Sequence, residues 1–88
     1  MTHLLKLNLR FCDDVFSGLK PFEVRNNDRD FHVGDIVMFL PVNDSGRVSS
    51  NHPIVTREYV ITYLLDGWGL PVGIVAFAIK EKGGVNRV

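Results

Sequence analysis

Short runs in which apolar and polar residues alternate limit what this chain can fold into more than any other feature. Between His3 and Leu9, leucines alternate with Lys6 and Asn8, which is typical of a strand with one buried face. Four more runs have strand composition, at 22–25, 36–40, 54–65 and 72–79. We therefore predict a mainly β fold of the α+β class, in which all the strands share one core.

One segment has helical periodicity. The residues of its apolar stripe are spaced i, i+3, i+4 and i+7, namely Cys12, Val15, Phe16 and Leu19. Gly18 indicates the end of this short helix. The last strand is apolar on both faces, which favours a closed or nearly closed small β-barrel of about five to six strands with one or two short helices. The length fits one domain, residues 1–88, with a flexible loop at 42–53 and a flexible tail at 83–88.

Charge and composition exclude several classes of protein. Ten basic and ten acidic side chains cancel, so the whole chain lacks the field of a strongly basic nucleic-acid-binding domain, and any such contact must be local. The longest apolar run, 36–42, is far shorter than the roughly 20 residues of a membrane span, and no secretory signal is visible. A single cysteine, Cys12, excludes an internal disulfide and favours the cytosol. The histidines are widely separated, so we expect no metal and no cofactor.

The most unusual charge pattern lies between Lys20 and Asp30, where six of eleven residues are charged. Such a run can be a solvated strand end whose charges pair with one another. It can also be a ligand site, because a lysine just past a helix is followed by Glu23 and Arg25 on one strand face, with the apolar residues between them on the other. We expect Lys20, Glu23 and Arg25 to border one concave surface that suits a phosphate and a base edge.

Residues 18–25, GLKPFEVR, resemble the G-x-K-x-x-E-x-R motif of ASCH domains, which share their barrel fold with PUA RNA-binding domains. The strings NDRDF at 27–31 and VGD at 33–35 are similar to a bacterial and phage branch of that group whose function is unknown. The resemblance extends over nearly the whole chain. It implies a cleft beside the barrel that holds RNA, with Lys20, Glu23 and Arg25 lining it.

The same resemblance raises an enzymatic alternative. Some small ASCH proteins are amidohydrolases that act on acylated cytidine, and they use a threonine three positions after the lysine. Here that position is Glu23. A carboxylate cannot simply replace a hydroxyl nucleophile, although Lys20 and Glu23 could form an acid and base pair. A protein-interaction module that uses the 42–53 loop, for example a phage or host accessory factor, is the third possibility.

Several residues outside the motif are further candidates for ligand contact. Trp68 lies between two glycines and could stack on a base, or it could cap one end of the core. Glu58 and Thr62 share one face of the predicted fourth strand and would join the site if that face meets the cleft. Tyr59 and Tyr63 share the opposite face and are expected to pack across strands.

The turn after the motif contains Asp28, Arg29 and Asp30. An aspartate in a turn often accepts local backbone hydrogen bonds, and an arginine between two carboxylates is readily paired. We include Asp28 and Arg29 in the candidate site and expect a structural role for Asp30 and Asp35. The expected partner is RNA or a nucleotide-like ligand, and the chain is expected to be a monomer without membrane contact.

Overall fold

The computed structural model describes residues 1–49 and 51–83. Along the chain it contains β1 (Thr2–Asn8), α1 (Leu9–Ser17), β2 (Phe22–Asn26), β3 (Ile36–Val42), a 3₁₀-helix (Pro53–Thr56), β4 (Tyr59–Asp66) and β5 (Ile74–Glu81). The prediction of a mainly β chain with five strands and a short helix is therefore confirmed. Over the described ranges, neither helix has the length and apolar composition needed to cross a bilayer.

The five strands form one sheet in the order β1-β3-β4-β5-β2. β1 runs parallel to β3, and the other neighbours are antiparallel. β1 and β2 are the edge strands, and within the described residues they do not pair with each other, so the sheet is not closed into a barrel. The expected closure fails where charged side chains, Lys6, Glu23 and Arg25, line the space between the two edges. A backbone ladder there would have to displace these polar groups.

The core lies on the inner face of the sheet and is closed at one end by α1. Alternating residues of four strands meet there, with Leu5, Leu7, Val37, Phe39, Tyr59, Ile61, Val75, Phe77 and Ile79 all buried. The helix adds Cys12 and Val15, as its apolar stripe predicts. It begins after Asn8, whose Oδ1 accepts a hydrogen bond from the backbone N–H of Arg10 at 3.0 Å. It ends at Gly18, which has a φ of 88°.

The region between β3 and β4 differs from the sequence prediction. The run at 54–65 was expected to be one strand, but it begins with the 3₁₀-helix, which buries Ile54 completely. The imidazole of His52 accepts a hydrogen bond from the backbone N–H of Ile54 and so caps this helix. In the 42–53 segment, Asn43 Oδ1 accepts hydrogen bonds from two backbone N–H groups of the turn that follows, both at 3.0 Å. The flexibility of the 42–53 loop stays a prediction, and so does the division of the chain into a single domain. Residues 84–88 of the predicted tail lie outside the described residues.

A β-bulge in β4 changes which side chains share a face. The register with β5 shifts between Ile61 and Tyr63. Tyr59 and Ile61 point into the core, whereas Tyr63 points outward and is 65% exposed. The prediction that the two tyrosines share a face was therefore wrong, because one additional residue reverses the alternation of a strand.

Candidate functional site

A groove lies between the free edges of β1 and β2, where the sheet stays open. Its larger part has a volume of about 410 Å³ and is lined by Lys6, Asn8, Phe11, Lys20, Phe22, Glu23, Val24 and Arg25. A smaller part, of about 180 Å³, is lined by Leu5, Lys6, Arg25, Asn26, Asp28, Arg29 and Phe31. Lys6 and Arg25 border both parts. We call the two together the β1–β2 groove.

The faces of β2 explain how the charged residues enter this groove. Glu23 is only 2% exposed, whereas Phe22 and Val24 are 46% and 52% exposed. The apolar residues of β2 therefore lie on the outer face of the sheet, and the charged pair, Glu23 and Arg25, lies on the inner face. At this edge the inner face meets the groove as well as the core, so polar side chains are tolerated there when they are paired.

Glu23 is the centre of a compact ion-pair cluster. Lys20 Nζ donates a hydrogen bond to Glu23 Oε2 at 2.6 Å. Arg25 donates from Nε at 2.9 Å and from Nη2 at 2.7 Å to Glu23 Oε1. A buried carboxylate is stable only when it is paired and hydrogen-bonded, and here both of its oxygens are engaged. Two cations held by one anion leave the cluster with an excess positive charge at the groove.

Lys20 is fixed in place by several contacts. Besides Glu23, its ammonium group donates to the backbone carbonyl of Phe22 at 3.0 Å. It lies 4.9 Å from the ring centroid of Phe22 and 5.3 Å from that of Phe11, both within the range of a cation–π contact. Its backbone N–H donates to the carbonyl of Asp14 in α1 at 2.9 Å. The end of the helix therefore positions the lysine at the mouth of the groove.

The groove combines positive charge with exposed aromatic rings. Its lining contains four cationic side chains, Lys6, Lys20, Arg25 and Arg29, against two carboxylates, Glu23 and Asp28. The excess of two positive charges contrasts with a chain whose formal net charge is zero. The rings of Phe11 and Phe22 are 40% and 46% exposed beside these charges. Such a surface can bind an anionic group and stack a flat ring next to it.

Lys6, Asn8 and Phe11 are among the lining residues that were not predicted from the sequence. Lys6 and Asn8 were recognised only as the polar side of β1, and Phe11 precedes the apolar stripe of the helix. These sequence positions are only a weak signal that the three residues belong to a ligand site. Their place in the site depends on the approach of β1 to β2, which are the first and last strands of the sheet.

The remaining candidates lie away from the groove lining. Glu58 precedes β4 and pairs with Lys82 at 3.4 Å, and Thr62 is exposed at the bulge. Trp68 is 91% exposed on the loop between β4 and β5, so the alternative that it caps the core is wrong. That loop is attached to the end of β2, because the backbone N–H of Asn27 donates to the carbonyl of Gly73 at 2.8 Å.

Other features of the fold offer less chemistry. A concavity of about 330 Å³ between α1 and the end of β5 is bordered by Glu81, which Arg57 binds at 2.8 Å. Burial raises the pKa of the Cys12 thiol, and the nearby charges of Asp13 and Glu23 add to the effect, so this cysteine is a weak nucleophile. Within residues 1–49 and 51–83, no three His, Cys, Asp or Glu side chains are grouped to hold a metal ion.

Comparison with known proteins gives a family but no activity. A search of curated proteins finds no match to this chain. A family model described as a domain of unknown function, DUF3850, matches residues 2–79. The matched span includes every residue that lines the β1–β2 groove. The chain therefore belongs to the DUF3850 family of domains of unknown function.

Proposed function

We propose that this chain binds RNA or a nucleotide-like ligand in the β1–β2 groove. The observation that carries the proposal is the Glu23 cluster, in which one buried carboxylate holds Lys20 and Arg25 at the groove surface beside exposed phenylalanines. A ligand with a phosphate and a planar base matches both parts of this surface.

The phosphate is assigned to the cations of the groove. Arg25 has five N–H donors, and Glu23 accepts only two of them in the contacts described. Lys20 has three donors and directs two of them to Glu23 and the carbonyl of Phe22. Donors remain on both side chains for an anion, and Lys6 lines the same space from β1.

The base is assigned to the aromatic side chains and to the free edge of β2. Phe11 and Phe22 expose their rings next to Lys20. The carbonyl of Phe22 points to Lys20 and therefore away from β5. Because backbone direction alternates along a strand, the N–H and C=O of Val24 also face the groove edge, where they can pair with the edge of a base.

We also propose that this chain is an ASCH domain of the PUA-like group, that it is of bacterial or phage origin, and that it is located in the cytosol. This proposal is supported by the GLKPFEVR string and by a charged groove beside a small β-sheet. Burial of the single thiol of Cys12 is compatible with a reducing compartment. The open sheet departs from the closed barrel that the resemblance implies.

The burial of Glu23 and the hydrogen bonds that it accepts from two cations favour ligand binding over amide hydrolysis as the function of the groove. A general base must reach the proton that it abstracts, but this carboxylate is buried and both oxygens accept hydrogen bonds from cations. We therefore expect little or no release of acetate from acetylated cytidine. Robust turnover by the unmodified chain that disappears in Lys20→Ala, with ligand affinity unchanged, would instead make the protein an amidohydrolase.

The binding proposal is tested by titrating the chain with nucleoside monophosphates and short single-stranded RNA, followed by NMR chemical shifts. We expect Lys20→Ala to weaken binding by about 1–2 kcal/mol, since Arg25 keeps part of the attraction. Lys82→Ala is the matched control, because Lys82 forms an exposed ion pair with Glu58 and does not line the groove. Equal affinities of the two variants, or shifts that map away from β1 and β2, would contradict the proposal.

A further inference from the structure

The outer face of the sheet carries an apolar surface that the groove does not explain. Phe22, Ala78 and Tyr63 form one row across β2, β5 and β4, because Ala78 is the register partner of both aromatic residues. A second row contains Val24, Ala76 and Leu65. The aromatic side chains at the two ends of the first row are 46% and 65% exposed. Among residues 1–49 and 51–83, both side chains therefore remain accessible to a ligand.

The first row leaves room for one planar ring in the slot between its two aromatic side chains. Neighbouring strands lie about 4.8 Å apart, so Phe22 and Tyr63 stand about 9.5 Å apart across Ala78. Side chains project roughly perpendicular to a sheet. A flat ring in van der Waals contact with an aromatic ring on each side needs about 7–8 Å between them. The small Ala78 leaves the floor of this slot open.

The positive charge of the outer face and its connection to the β1–β2 groove favour a nucleic-acid base as the occupant of the slot. Lys80 follows Ala78 on the same face of β5 and is exposed, and the two rows contain no carboxylate. Phe22 belongs to the slot and also lines the β1–β2 groove, where its ring contacts the ammonium group of Lys20. The slot is therefore connected to the cationic groove around the edge of β2.

We propose that the outer face binds a second base of the same ligand, so that the ligand is a single-stranded nucleic acid longer than one nucleotide. One nucleotide occupies the β1–β2 groove, and the strand passes around the edge of β2 and places a neighbouring base between Phe22 and Tyr63. Lys80 attracts the phosphate backbone on that face. This inference rests on the proposed binding function of the groove, and it adds the length and single-stranded form of the ligand.

The test compares mononucleotides with single-stranded RNA hexamers of the same base in titrations of the full chain. We expect the hexamer to bind about tenfold or more tightly than the mononucleotide. Tyr63→Ser should remove most of that gain and leave mononucleotide affinity unchanged, whereas Tyr63→Phe should keep it. Lys20→Ala should lower the affinity for both the mononucleotide and the hexamer.

The outcomes separate the two proposals. Equal affinities for hexamer and mononucleotide, with Tyr63→Ser neutral for both, would overturn the outer-face inference and leave groove binding intact. No binding of either ligand by the unmodified chain would overturn the groove function itself. Sedimentation that shows a dimer converted to a monomer by Tyr63→Ser would also overturn the inference, because the face would then be covered by a second copy of the chain.

Discussion

Glu23 has a different environment from the other acidic residues of its segment. Its side chain is 3% exposed, whereas that of Asp30 is 88% exposed. The sequence shows both only as members of one charged run. Because Glu23 accepts hydrogen bonds from Lys20 and Arg25, it holds the two cations in position. Side-chain pairing thus accounts for part of the charged run, and the cations that it positions are those to which the proposed function assigns the ligand.

A second buried carboxylate, Asp35, makes the stability of the fold depend on pH. Burial alone would raise the pKa of Asp35, but the contact with His3 Nε2 at 2.8 Å and the hydrogen bond from the backbone N–H of His32 at 3.0 Å outweigh it. The pKa therefore lies below its ordinary value of 3.8. A group of this kind stabilises the folded state above its unfolded pKa, and the contribution is lost as the pH falls through the folded pKa.

We therefore expect the free energy of unfolding to decrease below about pH 4, as measured by urea unfolding between pH 2 and 6. Asp35→Asn should be less stable than the unmodified chain at pH 6 and should show a flatter pH dependence. Asp44→Asn is the control. A hydrogen bond from Asn8 and the charge of Arg10 also lower the pKa of Asp44, but its carboxylate is exposed, so its effect should be smaller. Identical pH dependence in all three chains would contradict this account.

At the scale of elements, local patterns predicted the strands and the helix but not which face each strand presents. Cys12 and Val15 are buried as the helical stripe predicts, whereas Leu19 lies past the helix end and is 79% exposed. The alternation in β2 was correct, but its inward and outward faces were not predicted, because an edge strand beside a groove can bury a paired Glu23 instead of its apolar residues. The orientation of Tyr63 depends on a bulge, which has no local signal in a run rich in β-branched residues.

The backbone geometry at the end of α1 determines the position of Lys20 in the candidate site. Gly18 adopts a φ of 88°, and its backbone N–H donates to the carbonyl of Val15 at 3.1 Å. A Cβ at this position would meet no atom within 4 Å, so the cost of Gly18→Ala comes from the left-handed backbone alone. We expect a loss of about 1–2 kcal/mol in the free energy of unfolding. We also expect weaker ligand binding, since Lys20 follows two residues later.

Chemical denaturation and ligand titration of the same variant measure the two effects. Ser17→Ala is the neighbouring control, because Ser17 is exposed in the last turn of the helix. A Gly18→Ala chain with unchanged stability would show that the backbone can leave the left-handed region without cost.

At the scale of the whole molecule, the candidate site is produced by sheet order. Lys20, Glu23 and Arg25 were predicted to lie together because they are close in sequence. Lys6 and Phe11 join them only because β1 and β2 are the two free edges of an open sheet and face one groove. Composition and periodicity contain no information on such long-range approach. The formal charge of zero likewise conceals the local excess of positive charge in the groove.

This charge distribution predicts a shallow dependence of ligand binding on salt. If the groove binds RNA as proposed, its excess of two positive charges is expected to contact about two or three phosphates. The logarithm of the association constant for single-stranded RNA should then fall with the logarithm of salt concentration at a slope of about −1.5 to −2. Titrations at about 50 to 300 mM potassium chloride, a range that includes the physiological ionic strength, measure this slope. Lys20→Ala should make it shallower by about 0.7, the contribution of one phosphate contact, and Lys82→Ala should leave it unchanged. A much steeper slope would contradict binding by one groove, because it requires a larger basic surface such as two chains would form together.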